Sequence, residues 1–222
     1  MDKRRSGVII NSIVASYVDS MYVNKNPQLE ELREFAEENH VPVILKDAES
    51  FILMLLRIRN PRRILEVGTA VGYSALCFAD ESEADIITIE ADSQMYDAAL
   101  SNIRNFNRED RINVLFGDAR EVIESLDKES KFDMVFIDAA KSHYREFWDL
   151  IIPLCDDDAM IICDNILMKG MTASDEFDTN KRYKTSIRKM REFLDYINNS
   201  DYAETSILPI GDGVSVSVIN KK

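Results

Sequence analysis

Glu66, Gly68, Gly72 and Glu90 stand close together in the chain, and further on come Asp138, Lys141, Asp164 and Asn165. The first group lies in Glu66-Val67-Gly68-Thr69-Ala70-Val71-Gly72-Tyr73-Ser74, just after a short apolar run. Glycines at 68 and 72 permit a tight turn and a close approach of backbone to a ligand. Glu90 ends the next apolar run, roughly 20 residues on, where an acid can accept hydrogen bonds from ribose hydroxyls. No Lys or Arg stands between Arg63 and Arg104, so the loop lacks the lysine of a GxxxxGK[ST] phosphate loop. Its spacing is not GxGxxG either, which argues against NAD. An acidic loop with Glu66 beside the glycines suits a cation. S-adenosylmethionine, a sulfonium with a ribose and no phosphate, is the cofactor this loop leads us to expect.

The second group ends two other apolar runs, Val135-Phe136-Ile137-Asp138 and Ile161-Ile162-Cys163-Asp164-Asn165. In a parallel sheet both ends fall on one edge, so Asp138, Asp164 and Asn165 can converge. Three oxygen donors without a His or Cys cluster favour a hard divalent ion such as Mg²⁺. Either segment alone would read as an ordinary turn after a strand; the two together carry the metal reading. Lys141 follows Asp138 by three residues. Beside a metal and a cationic cofactor its pKa is expected to fall, so that it acts as a base. Lys141 and Asp138 are therefore the candidate catalytic pair.

The elements that must position these groups follow from the apolar pattern. Runs at Arg63–Val67, Asp85–Glu90, Arg111–Phe116, Phe132–Asp138 and Ala159–Cys163 alternate with helical stretches, the signature of βαβ units and a buried parallel sheet. Tyr202–Ile210 and Val214–Ile219 flank Gly211-Asp212-Gly213 and read as an antiparallel hairpin. Residues 1–60 read as helical, apart from an extended piece over His40–Leu45. Ile9, Ile10, Ile13, Val14, Tyr17, Val18 and Met21 recur at helical spacing, and Asn26-Pro27 opens a second helix. The expected fold is α/β: one doubly wound, mostly parallel sheet with a C-terminal antiparallel hairpin and an N-terminal helical cap. It forms a single domain over 1–222, with a cap and dimer region over 1–60 and a Rossmann-like core over 61–222.

These segments, with Gly117-Asp118-Ala119, resemble the class I O-methyltransferases of the catechol and caffeoyl-CoA type over roughly residues 40–220. The resemblance implies the seven-stranded count and a set of roles. Backbone at Val43 and Gly68, with Glu66 and Ser74, would hold the methionine part of the cofactor, and Glu90 the ribose. Asp118 and Ala119 would flank adenine, and Asp138 would also border the cofactor. Asp138, Asp164 and Asn165 would hold the metal, with Lys141 as base. Phe136 to Tyr144 and Asp164 to Gly170 are most similar to the bacterial tRNA 5-hydroxyuridine methyltransferases, which implies 5-methoxyuridine as product. A small catechol is the alternative acceptor, since it too offers two adjacent oxygens. A cofactor-binding regulator without catalysis is a third reading, and the Asp138, Lys141, Asp164 and Asn165 set argues against it.

A net charge of −13 disfavours nucleic acid as a general partner. Within Asp178–Asn198, however, Ile187, Met190, Leu194 and Ile197 form an apolar stripe, and Lys181, Lys184, Arg188 and Arg191 a basic one. The basic stripe is either a solvated face or a surface that tracks the phosphates of tRNA; Lys3, Arg4, Arg5 and Lys169 could extend it. Cys77, Cys155 and Cys163 form no CxxC pair and read as buried thiols in a reducing, cytoplasmic setting. No run of about 18 apolar residues occurs. The N-terminal helices carry more apolar surface than one sheet needs, so a homodimer is expected.

Overall fold

The computed structural model describes residues 11–22, 24–179 and 181–220. In chain order the elements are α1 (Ser12–Met21), α2 (Pro27–Glu38), α3 (Lys46–Arg59), β1 (Arg63–Val67), α4 (Tyr73–Glu81), β2 (Asp85–Glu90), α5 (Ser93–Asn105) and β3 (Ile112–Phe116). There follow α6 (Ala119–Ser125), β4 (Phe132–Ile137), α7 (Tyr144–Ile151), β5 (Cys155–Cys163), α8 (Lys184–Asn198), β6 (Ala203–Leu208) and β7 (Val214–Ile219). The strands form one seven-stranded sheet in the order β3-β2-β1-β4-β5-β7-β6. β1 to β5 run parallel, while β7 pairs antiparallel with both β5 and β6. The strand order reverses between β1 and β4, and doubly wound sheets bind ligands in the crevice at that point.

Alternation along each strand feeds two cores. Leu65, Val67, Val135 and Ile137 face α7 and α8, where Trp148 and Phe193 meet edge to face at 5.8 Å. Ile64, Ile86, Met134 and Phe136 face the side built by α2 to α5, where Phe78 meets Phe136 at 5.4 Å. Each fully buried side chain of this size contributes about 1.5–3 kcal/mol. α2 and α3 belong to this second core through Leu29, Leu32, Ala36, Ile52 and Leu56. α1 packs less: Ile13, Tyr17 and Met21 are 78%, 63% and 64% exposed. Ile9, Ile10, Lys3, Arg4 and Arg5 lie outside the described residues. All three cysteines are buried free thiols. Among the described residues no helix is long and apolar enough to cross a membrane.

Most strand ends fall within two residues of expectation, and two boundaries differ by more. β5 starts at Cys155 rather than Ala159, because Asp156, Asp157 and Asp158 extend the strand in polar residues that an apolar run does not reveal. α8 starts at Lys184 rather than Asp178. Ahead of it Lys181 is left-handed (φ 52°) and the Asp178 carboxylate accepts the Arg182 N–H at 3.2 Å. That turn takes Lys181 off the helix, so the basic stripe on α8 itself is Lys184, Arg188 and Arg191.

Candidate active site

A cavity of about 730 Å³ opens at the carboxyl ends of β1, β2 and β4. Of the expected cofactor residues, Val43, Gly68, Ser74 and Glu90 line it, as do Asp118, Ala119 and Asp138; Lys141 and Asn165 complete that wall. Glu66 and Asp164 are not in the lining. Both are fully buried directly behind it.

Local structure accounts for these positions. Gly68 has φ 102°, and a Cβ there would collide with the carbonyl oxygen of Asp138. The β1 loop therefore lies directly on the end of β4. Gly72 turns left-handed into α4, which places Ser74 in its first turn. The Ser74 and Thr88 hydroxyls both donate to the Glu66 carboxylate, and Thr69 joins Thr88 at 2.6 Å. Burial nevertheless pushes Glu66 up to about 7, against those two hydrogen bonds. The site thus holds a carboxyl whose negative charge is short of compensation, and a cation in the cavity would supply it.

Glu90 braces the loop as well as facing the cavity. Its Oε2 accepts from Ala70 N at 2.8 Å and its Oε1 from Ala91 N and Asp92 N at 2.9 and 2.8 Å. Oε2, with a single backbone donor, keeps a lone pair for a further donor. Asp118 caps α6 through Arg120 N at 2.9 Å and pairs with the Arg120 guanidinium at 2.7 Å, which holds its carboxyl well below the usual range.

At the other end of the cavity Lys141 leads α7 from a short 3-10 turn over Lys141–His143. Its Nζ donates to Asp138 Oδ1 at 2.7 Å and to Tyr144 Oη at 2.8 Å. Burial works against the ammonium, but the Tyr144 oxygen and the Asp138 carboxylate outweigh it and raise the Lys141 pKa. The expected fall in that pKa is therefore reversed in the protein alone, because Asp138 is a direct partner of the amine. Asp164 Oδ1 accepts its neighbour Asn165 N at 2.7 Å, while Oδ2 is buried with no hydrogen-bond partner. Burial, then the Asp138 charge, raises the Asp164 carboxyl. Asn165 takes the left-handed region at φ 55°.

Among the described residues no three His, Cys, Asp or Glu side chains gather as a metal-binding group. The candidate set is instead two acids and a carboxamide. An orphaned buried carboxylate oxygen among hard oxygen donors fits a divalent cation.

Sequence reading missed three contributors. Tyr144 links Lys141 to the Asp164 carbonyl, to which its hydroxyl donates at 2.8 Å. Asp212, in the hairpin turn, accepts Lys169 N at 2.5 Å, and burial pushes its carboxyl up to about 6. Tyr73 lines the cavity and meets Arg33 Nε at 3.1 Å. The Gly-Asp-Gly turn and the three-residue step from Lys141 to Tyr144 were visible, but only the folded chain brings them to the site. The basic residues of α8 do not line the cavity. Arg191 bonds to backbone within the chain, Arg188 pairs with Glu192 at 2.6 Å and Lys189 with Glu146 at 3.6 Å.

Comparison with known proteins gives consistent results. The model of the family described as O-methyltransferase matches residues 19–220. A caffeoyl-CoA O-methyltransferase from Populus kitakamiensis is 30% identical, over 95% of this chain and 94% of its own. A flavonoid 3',5'-methyltransferase from Vitis vinifera is 30% identical over 95% of each chain. The structure of an O-methyltransferase from Bacillus cereus in complex with SAH superposes with a TM-score of 0.81 at 27% identity, covering 94% of this chain and 97% of that one. SAH is what S-adenosylmethionine becomes when it gives up its methyl group. With the loop, the cavity and the family match in agreement, this chain belongs to the O-methyltransferase family and uses S-adenosylmethionine as its methyl donor.

Proposed function

We propose that the chain methylates a ring hydroxyl that has a second oxygen beside it, and that this acceptor is the 5-hydroxyl of 5-hydroxyuridine in tRNA, giving 5-methoxyuridine. The observation that carries the chemistry is the meeting of Lys141, Asp138, Asn165 and the orphaned Asp164 oxygen at one end of the cofactor cavity.

When bound, S-adenosylmethionine supplies an electrophilic methyl group on a sulfonium. Glu66, Glu90 and the cation-free β1 loop favour its positive charge and its ribose. Asp138, Asp164 and Asn165 would hold a divalent ion such as Mg²⁺, whose charge would acidify the acceptor hydroxyl and offset the Asp138 charge that retains the Lys141 proton. Lys141 Nζ takes the hydroxyl proton, and Asp138 Oδ1 and Tyr144 Oη hold the resulting ammonium. The shared seam between the β1 loop and the end of β4 keeps donor and acceptor aligned, and alignment supplies much of the remaining acceleration.

The RNA reading is supported by the likeness of Phe136 to Tyr144 and Asp164 to Gly170 to the tRNA enzymes. It is also supported by the exposed cations Lys169, Lys181 and Lys184, since α8 packs on the Lys141–His143 turn. A small catechol-like acceptor is the second reading, favoured by the names of the caffeoyl-CoA and flavonoid relatives. The test is methyl transfer from labelled S-adenosylmethionine to hydroxyuridine-containing tRNA and to a catechol in parallel, with Mg²⁺ and with chelator. Chelator-sensitive label on tRNA is the expected result; label on the catechol alone replaces the first reading with the second.

A further inference from the structure

We propose that Arg191 is a positioning residue for the acceptor side of the site, where it clamps the 166–175 loop that follows the metal pair; the acceptor role of that loop rests on the function proposed above. The loop leaves Asn165 in an unusual path. Asn165, Met168 and Lys169 are left-handed at φ 55°, 49° and 57°, and Gly170 follows at 87°. Side chains with a Cβ enter that region at a cost, and a run of them persists only when the surroundings hold it.

Two sets of contacts hold it. On one side the hairpin turn receives the loop: Ile166 N donates to Gly213 O at 3.0 Å, Leu167 N to Asp212 O at 2.9 Å and Lys169 N to Asp212 Oδ1 at 2.5 Å. On the other side stands Arg191 of α8. Its Nε donates to the Thr172 carbonyl at 2.8 Å, and one terminal nitrogen donates to the Met171 carbonyl at 3.0 Å while pairing with Asp175 at 2.8 Å. Thr172 returns the constraint to the start of the loop, since its hydroxyl donates to Ile166 O at 2.8 Å. The path from Arg191 to the residue after Asn165 is thus two hydrogen bonds long.

A planar guanidinium can reach two adjacent carbonyls and a carboxylate at once, and a lysine cannot. Arg191→Lys keeps the charge and removes the fork, so it separates clamping from electrostatics. Asp175→Asn removes only the ion pair, whose carboxylate is 84% exposed, and exposed pairs contribute little.

The experiment is hydrogen–deuterium exchange on the full chain, with calorimetric binding of SAH and steady-state kinetics on the tRNA and catechol acceptors. Arg191→Lys is expected to speed exchange at least tenfold in peptides covering 166–178. SAH affinity should stay within twofold, and the acceptor KM should rise at least tenfold with a smaller change in kcat. Asp175→Asn should stay close to wild type. Unchanged exchange in the loop would overturn the proposal. So would a loss of SAH affinity in step with the faster exchange, because Arg191 would then support the whole fold. If the wild-type protein methylates neither acceptor, the proposed function fails by itself, and the exchange data still decide the role of Arg191.

Discussion

The hydroxyl of Tyr144 accepts a hydrogen bond from Lys141 Nζ at 2.8 Å and donates its own proton to the carbonyl of Asp164, also at 2.8 Å. The candidate base and the backbone of the candidate metal pair are therefore joined through one phenol. Lys141→Met is expected to lower kcat by about 10²–10⁴-fold, the range for a lost general base, with SAH affinity unchanged. Tyr144→Phe should lower kcat by roughly tenfold, about the worth of one hydrogen bond. Single-turnover methyl transfer checks both.

Asp164 sets function against stability. Its carboxyl is raised above the ordinary range by burial and by Asp138, so its folded form is penalised as pH rises through that raised value. Asp164→Asn removes the buried charge and should raise the midpoint of metal-free thermal unfolding by about 2–4 °C at pH 8, while methyl transfer is lost. Mg²⁺ should stabilise the wild-type protein and leave the variant unmoved. A melting series with Mg²⁺ and with chelator reads both effects.

Glu66 makes a pH prediction with a definite sign. Its folded pKa of about 7 lies above the ordinary 4.5. Its contribution to stability is thus fully present below 4.5 and is lost as pH rises to about 7, where the fold must carry a buried charge. A cationic cofactor favours the ionised form, so binding at pH 6 should release a proton. Calorimetry in two buffers of different ionisation enthalpy would show it. Glu66→Gln should remove the buffer dependence and weaken S-adenosylmethionine about tenfold, or 1.4 kcal/mol.

Lys184, exposed at the start of α8, separates the two acceptors. If RNA is the substrate, Lys184→Glu should weaken tRNA binding and reduce the salt slope by about one unit. Catechol turnover should not change. An unaltered tRNA KM across a salt series would return this face to the solvent.

The bare face of α1 leads us to expect a homodimer. Ile13, Val14 and Tyr17 are exposed together, and a surface of this kind is ordinarily covered. Light scattering at micromolar concentration should give twice the monomer mass. Val14→Asp with Tyr17→Asp should halve that value without unfolding the chain.

How much of this was legible in the sequence depends on where each signal resides. β1 and β2 begin and end where the apolar runs do, because strands buried on both faces of a parallel sheet are mostly apolar, and β7 does so through its alternating valines. The start of β5 was hidden, since three aspartates stand between the paired Cys155 and Met160, where the register with β4 shifts. The grouping of Gly68, Glu66 and Glu90 was legible because they belong to one βαβ unit, and the shared edge of the ends of β4 and β5 followed from parallel topology. Tyr144, Asp212 and the clamp of Arg191 were not legible, as each depends on contacts between elements far apart in the chain. Arg191 shows the limit most clearly. Helical spacing placed it correctly on a basic stripe, yet its charge turns inward to carbonyl groups that no periodicity announces.

The contact of Gly68 with the carbonyl of Asp138 has a consequence for exchanging parts among relatives. With no side chain between them, the β1 turn and the end of β4 meet as bare main chain, so neither can be replaced without matching the other to a fraction of an ångström. A chimera that takes its methyl-donor half from another enzyme must bring the tip of β4 with it. On the acceptor role proposed above, the 166–175 loop and α8, fastened by an arginine and a hairpin, would be the cassette to exchange in order to change what is methylated.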